Sequence, residues 1–453
     1  MPAPAAEDPV ELLRLGAQLL GQGRPAEAAA PLYRAVALNP GGVDAHYILG
    51  LAQQGLGQHE LAMASYARAI ELYPAGHAEA HNNLGNVLQS LGRCEEALQH
   101  FDAALAAEPR YALAMNNRGN ALKALGRYRD AIASHRAALA VDPANALAHF
   151  SIGLAQLALG EFDEGWSEHE WRYPHAGAPP RSEVPGAWNG EDLHGRSILL
   201  HGEQGLGDTI QFLRYAPLVA DLGATVVLQV QAPLVPLLRN VPGVRRVCGL
   251  DGPAPPADFQ CPLMSLPFLF GTTLETVPPP GPAVAVDPSV AAQRRAALAP
   301  RAGEKLVGIS WRGSPQYVHD RIRSVGFAAL APLWSVPGIR FVSLQKELLD
   351  DERTRAAGPP QLVHPGADFK TTAETIAGLD LVIAVDTAWA HWAGATGTPV
   401  WVLLTFSPHW AWLTGREDSP WYPAARLFRQ DAARDWGPVI ARVAAALRET
   451  AAA

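Results

Sequence analysis

The chain has 453 residues, room for about three domains of ordinary size, with 48% hydrophobic and 18% charged residues and a mean hydropathy near zero. A net charge of −8 without any basic block excludes nucleic acid as the expected partner. Cys94, Cys248 and Cys261 are odd in number and lack metal-ligand spacing, so they read as small buried hydrophobes in a reducing compartment and no metal is expected. The opening MPAPAAEDPVE lacks the basic and apolar regions of a secretory signal, and a cytoplasmic location is the expectation.

The first third repeats. Gly16, Gly50, Gly85, Gly119 and Gly153 recur at spacings of 34 or 35 residues, and three further series keep step with them. These are Ala28, Ala62, Ala97 and Ala131; Ala35, Ala69, Ala104 and Ala138; and Pro40, Pro74, Pro109 and Pro143. The pattern resembles the tetratricopeptide repeat, a 34-residue pair of antiparallel helices. A small residue lets the two helices of a unit approach, Leu32, Tyr66 or Phe101 fills the gap to the neighbour, and the proline ends the unit. Four full repeats and a partial fifth make an α-solenoid, whose concave groove is the expected protein-binding surface. Asn82, Asn83 and Asn86 stand at the same register as Asn116, Asn117 and Asn120. They read either as a ladder that hydrogen-bonds the backbone of an extended peptide or as a solvated polar face. Trp166, Trp171 and Tyr173 read as a hydrophobic cap at the end of the array that joins the last repeat to the next domain.

From Ser197 the pattern changes to strand–loop–helix alternation. Strands are expected at 197–201, 224–230 and 244–250, with a Gly-rich loop, GEQGLGD, and an amphipathic helix over 209–222. Proline-rich stretches at 253–256 and 277–282 read as linkers. A second unit offers strands at 305–311, 340–344, 381–385 and 399–404 and a closing helix over 435–447. Continuous Val/Ile/Leu runs mark strands covered on both faces, as in parallel α/β sheets. The uncharged stretch from Thr387 to Pro408 is long enough for a membrane span, but Gly394, Gly397 and Pro399 break it, and a buried helix–strand unit is expected.

Two positions in these lobes carry chemistry. Asp386 and Thr387 follow a buried strand and precede a helix, where open α/β sheets bind ligands and free N–H groups favour an anion; an ordinary N-cap is the alternative. Asp208 ends the Gly-rich loop, again as a functional carboxylate or as a helix cap. The loop spacing is G-x-x-G-x-G, and the acidic residue that a ribose needs about 20 positions on is absent, so a nicotinamide cofactor is disfavoured.

These residues resemble glycosyltransferases of the GT-B fold, specifically the heptosyltransferase-like family. That family's pattern has a Gly-Asp in the first loop of the amino-terminal lobe and D-T-x-x-x-H-x-A-x-x-x-G-x-P in the carboxy-terminal lobe. Here they read Gly207-Asp208 and Asp386-Thr387, His391, Ala393, Gly397 and Pro399, in the right order. Joined to the repeats, the pair looks like bacterial repeat–transferase fusions, some of which modify proteins such as flagellin.

The resemblance implies an α plus α/β chain: a repeat superhelix over 9–175, an acceptor-side lobe over 181–285 and a nucleotide-sugar lobe over 286–450. It implies transfer from a nucleotide sugar to a protein hydroxyl recruited by the groove, with no cofactor or metal. Asp208 is then the general base, with Gly205 and Gly207 beside the donor. Arg312, Arg321 and Arg323 are the cations for the departing diphosphate, where the family often has lysine. Gln345 and Lys346 reach the base or ribose, and Asp386, Thr387 and His391 hold the sugar and phosphates. Asp418, Ser419, Trp421 and Tyr422 form a late loop that completes the pocket. The alternative is a non-catalytic repeat scaffold whose transferase domain is degenerate.

Overall fold

The computed structural model describes residues 7–73, 76–178, 181–183, 186–281, 284–314, 320–345, 362–363 and 368–452. The chain parts into two compact units after Ala155, where the sequence reading drew its first boundary at residue 175.

The first unit consists of helices packed in successive pairs: α1 (Pro9–Gly21) with α2 (Pro25–Leu38), α3 (Val43–Gly55) with α4 (His59–Leu72), α5 (Ala78–Ser90) with α6 (Cys94–Ala107), and α7 (Ala112–Ala124) with α8 (Tyr128–Val141). The next helix, α9 (Ala146–Leu159), carries the boundary. The periodic small residues do what their spacing implies. A Cβ on Gly85 would lie 2.6 Å from the Phe101 ring and one on Gly119 would lie 2.5 Å from His135, so only glycine admits these rings. Ala62, Ala97 and Ala131 are fully buried at the equivalent contact of the second helices. α6 stops just before Pro109, which has no N–H to continue it.

The second unit opens with α10 (Phe162–His169) and α11 (Arg172–His175). A lobe follows, made of β1 (Ser197–His201), α12 (Leu206–Phe212), α13 (Ala216–Asp221), β2 (Thr225–Val230), β3 (Val244–Gly249), β4 (Phe259–Pro262) and α14 (Leu266–Leu269). The single helix expected over 209–222 is corrected to two pieces with a 3₁₀ turn between them, at Leu213–Tyr215. Pro217, in the first turn of α13, cannot donate back into a continuous helix. After α15 (Pro288–Ala297) comes the other lobe: β5 (Lys305–Ser310), α16 (Asp320–Arg323), α17 (Ala331–Trp334), β6 (Ile339–Ser343), β7 (Leu362–Val363), α18 (Phe369–Ile376), β8 (Leu381–Val385), α19 (Ala388–Thr396), β9 (Val400–Leu404), β10 (Ala425–Arg429) and α20 (Trp436–Ala452).

Among the described residues the strands form two parallel sheets, ordered β3-β2-β1-β4 and β10-β9-β8-β5-β6-β7. Every residue of β8 and β9 is buried, as their unbroken apolar runs require. The core of the larger lobe gathers Ile309, Trp311, Phe341, Ile383, Leu403 and Ile440. In each sheet the strand order reverses once beside the first strand of the lobe, between β1 and β4 and between β5 and β8. The crevice outside the carboxyl ends at such a reversal is where open α/β sheets take ligands.

Candidate functional site

Both reversals are occupied by the residues singled out from the sequence. β1 ends at His201 and runs into the Gly-rich loop; β8 ends at Val385 and runs into Asp386. α12 and α19, which follow these two loops, pack directly on each other. The contact is close at Gly207, where a Cβ would sit 2.8 Å from His391 Cδ2. It is equally close at Gly394, where a Cβ would meet the Tyr422 ring at 2.5 Å. Two glycines therefore bring the two loops and the late loop together.

Asp208 is the third residue of α12, and its Oδ2 accepts the backbone N–H of Gly205 at 3.0 Å. It caps the helix from inside the first turn rather than from the N-cap position. Among the described residues its Oδ1 makes no hydrogen bond, so one oxygen is fixed and the other is open to accept a proton.

Asp386 is not the cap of α19. Thr387 holds that position, and its hydroxyl makes no capping bond; Oγ1 is buried without a hydrogen-bond partner among the described residues. The Asp386 carboxylate instead faces His391, with Oδ1 3.7 Å from Nε2. His391 is 5% exposed, and its Nδ1 lies 2.9 Å from the Tyr422 hydroxyl. Trp412 covers the imidazole, with ring centroids 5.0 Å apart. Burial pushes the Asp386 carboxyl up, but the His391 ring, the His409 charge and the Trp412 indole outweigh it and hold it at about 2. Asp386 is thus a carboxylate throughout the neutral range. Burial above all pushes the Tyr422 phenol well above its ordinary value; Arg214 opposes the shift, and Asp208 and Asp386 add to it. The phenol therefore stays protonated within the field of both carboxylates. Arg214 stacks over the Tyr422 ring at 5.1 Å and donates to the carbonyls of Trp421, Pro278 and Gln211.

The remaining sequence candidates divide. Gln345 Oε1 accepts from Ser310 Oγ and from the N–H groups of Trp311 and Arg312, at 3.0–3.1 Å, and so ties the end of β6 to the end of β5. Arg323 donates to the Asp386 carbonyl at 2.8 Å and to Asp320 Oδ1 at 3.0 Å, which makes it a strut between the two strand ends at the reversal. Arg312 is half-buried at the end of β5. Arg321 lies on α16, with its side chain outside the described residues, and Lys346 is outside them altogether. In the late loop Tyr422 and Trp421 are buried, Ser419 accepts the Trp421 N–H, and the exposed Asp418 pairs with Arg416 at 2.5 Å.

Two groupings were missed. Arg172 and Arg181, each 6% exposed, share Glu170, and Arg172 also holds Glu203 of the Gly-rich loop at 2.9 Å. The Tyr173 hydroxyl donates to the same Glu203 at 2.7 Å. The segment read as a cap is therefore built into the α/β unit. Trp166 donates to the Thr272 carbonyl and meets the rings of Phe212, Trp410 and Trp421, which come from both lobes. That this segment packs on the following domain was legible; its particular partners, up to 255 residues away in sequence, were not.

In the repeat unit the asparagine ladder is corrected. Asn82 and Asn116 are 0% and 1% exposed and bind other side chains. Asn82 accepts from Asn117 at 2.8 Å and donates to Asn83, while Asn116 accepts from His135 Nδ1 at 3.1 Å. Asn83 in turn donates to the Tyr47 hydroxyl. Asn86 and Asn120 are half-buried, and among the described residues their amides make no hydrogen bond. Two asparagines at this register thus bind the fold, not a peptide.

Models of the tetratricopeptide repeat match residues 13–77 and 78–111, and a further TPR-repeat model matches residues 119–160. The chain therefore carries tetratricopeptide repeats, a protein-interaction scaffold, joined to an α/β unit with parallel sheets. Protein FlbA of Caulobacter vibrioides (strain ATCC 19089 / CIP 103742 / CB 15) is 32% identical over 317 residues, 64% of this chain. That stretch is longer than the repeats, so the likeness continues beyond them. The chain spans 53% of the length of that relative. Among solved structures, one described as a crystal structure of MamA is 23% identical with a TM-score of 0.33, covering 36% of this chain and 96% of that one. PilF of Pseudomonas aeruginosa is 18% identical with a TM-score of 0.37, covering 48% of this chain and 86% of its own. No group of three or more His, Cys, Asp or Glu among the described residues is placed to hold a metal. No described helix is long and apolar enough to cross a membrane.

Proposed function

We propose that this chain is a glycosyltransferase of GT-B type that moves a sugar from a nucleotide sugar to a hydroxyl of a protein held by its repeat groove. The observation that carries this reading is the meeting of two loops from two parallel sheets, Asp208 on one side and Asp386, His391 and Tyr422 on the other, through the Gly207–His391 contact. A transfer needs one group to take a proton and another to hold a leaving anion. In this reading Asp208 Oδ1 accepts the acceptor's hydroxyl proton as the new O–C1 bond forms. The C1–O bond to phosphate breaks, and its electron pair leaves with the nucleoside diphosphate. Arg312 and the free N–H groups at the start of α19 balance that charge, the helix by its dipole. Asp386 and His391 orient the sugar.

The test is nucleotide release from UDP-, GDP-, ADP- and CMP-linked sugars by the full chain. One donor should be hydrolysed slowly, and Asp386→Ala should raise its Kd at least about tenfold, the loss of about 1.4 kcal/mol of contacts. Neither binding nor release with any of the four would favour a repeat scaffold whose α/β unit has no transferase activity.

A further inference from the structure

We propose that Gln231 is the positioning residue of this site: it sets the course of the Gly-rich loop and so the direction in which Asp208 holds its carboxylate. Gln231 directly follows β2 and is half-buried. Its Oε1 accepts from Thr209 Oγ1 at 2.9 Å, and the carbonyls that face the other end, which can only accept, fix that end as the amide nitrogen. Its Nε2 faces three successive carbonyls, those of Glu203, Gln204 and Gly205, at 3.4, 3.3 and 3.4 Å. Three acceptors share two N–H bonds, so each bond is weak and their common effect is on direction.

In a trans peptide the carbonyl and the following N–H point opposite ways. Three carbonyls converging on Nε2 therefore turn the N–H groups of Gln204, Gly205 and Leu206 away from β2. The Gly205 N–H is the one that Asp208 Oδ2 accepts. Gln231 thus presents the donor that fixes one oxygen of Asp208 and leaves the other open. The arrangement is costly elsewhere: Gln204 sits at φ +47°, a region that non-glycine residues avoid. It also requires Gly202, where a Cβ would lie 2.6 Å from Thr209 Oγ1 and 3.2 Å from Gln231 Oε1. Every hydrogen bond of the Gln231 side chain goes to residues 203–209, so its work is confined to the loop and the start of α12.

The consequence for activity rests on the transferase reading; the bracing of the loop does not. Gln231→Leu removes the brace. Gln231→Glu keeps its shape but sets a carboxylate against three carbonyl oxygens. In the full chain, hydrogen–deuterium exchange should show the amides of residues 204–209 exchanging at least about tenfold faster in both variants, with β5, β8 and β9 unchanged. Nucleotide release from the best of the UDP-, GDP-, ADP- and CMP-sugars should lose at least about tenfold in kcat while KM for that donor stays within about twofold. Unchanged exchange at 204–209 in both variants overturns the brace. Faster exchange with kcat intact, or a loss carried by KM, overturns the positioning of Asp208. If the wild-type chain releases nucleotide from none of the four, the transferase reading falls, and the exchange result by itself still decides whether Gln231 braces the loop.

Discussion

Gly207 is the residue on which the two loops converge, because the His391 ring stands where its side chain would be. The sequence shows this glycine beside Asp208, but as one of three in a loop; nothing local distinguishes a glycine needed for a turn from one needed for a neighbour 184 positions away. Gly207→Ala should destabilise the chain by about 1–3 kcal/mol, the usual cost of overpacking a tight contact. It should also displace the imidazole from the Tyr422 hydroxyl, 2.9 Å away. Denaturant midpoints give the first effect, and the second follows from the His391 ring resonances. A Gly207→Ala chain with wild-type stability and an unmoved ring would show that the loops are not held at this point. Asp386 and His391 were legible as a spaced motif. Tyr422 as their partner was not, since only the fold brings the late loop onto α19.

At the scale of elements, β1, β8 and β9 were legible as continuous apolar runs, and β3 was placed to within a residue although none of its residues is buried. β8 was located to the residue, and β1 likewise, because continuous apolar runs between turn signals leave no other reading. β4 and β10 were missed. β4 is four residues ending in proline, with Gln260 bridged to Ala187 on its outer side, β10 has its apolar run broken by an exposed arginine at its second position, and β7, also missed, is two residues long. In the repeats the helices followed directly from the 34-residue period, yet one departure has a consequence. The contact filled by Leu32, Tyr66 and Phe101 in the earlier repeats is filled by His135 in the fourth. His135 is fully buried, with Nδ1 on Asn116 and Nε2 without a hydrogen-bond partner among the described residues. Burial, with Lys123 adding to it, lowers its pKa to about 4. The unfolded chain, with an ordinary pKa near 6.5, binds the proton first. Stability at this position is therefore complete above about pH 6.5 and falls as pH drops toward 4, by on the order of 3 kcal/mol. His135→Phe, which repeats the Gly85–Phe101 contact one unit on, should flatten the acid limb of repeat unfolding between pH 6.5 and 4. An equally steep limb in that variant would assign the acid sensitivity to other histidines.

At the scale of the whole molecule, the division between scaffold and chemistry lies after Ala155, and α10 and α11 belong with the lobes. Trp166 is 2% exposed, and losing such a ring alone costs about 3–5 kcal/mol. A chain beginning at Arg181 also strips Arg172 and Tyr173 from Glu203 and leaves that carboxylate in a cavity. Net stabilities are only about 5–15 kcal/mol, so the chain beginning at Arg181 should be insoluble or molten. One beginning at Gln156 should melt cooperatively and keep nucleotide-sugar binding. Calorimetric scans of the two decide this, and a sharp transition for the shorter chain would place the strap outside the fold. We propose that one cleft, with Asp208 as its base, moves sugar onto protein. The most direct measurement is transfer of radiolabelled sugar from the nucleotide donor to acid-precipitable protein in a cell extract, comparing the wild-type chain with Asp208→Asn. The account expects label in one or a few protein bands with the wild type and at least about a hundredfold less with Asp208→Asn at unchanged thermal stability. Equal labelling by both chains, or none by the wild type while it hydrolyses the donor, would contradict it.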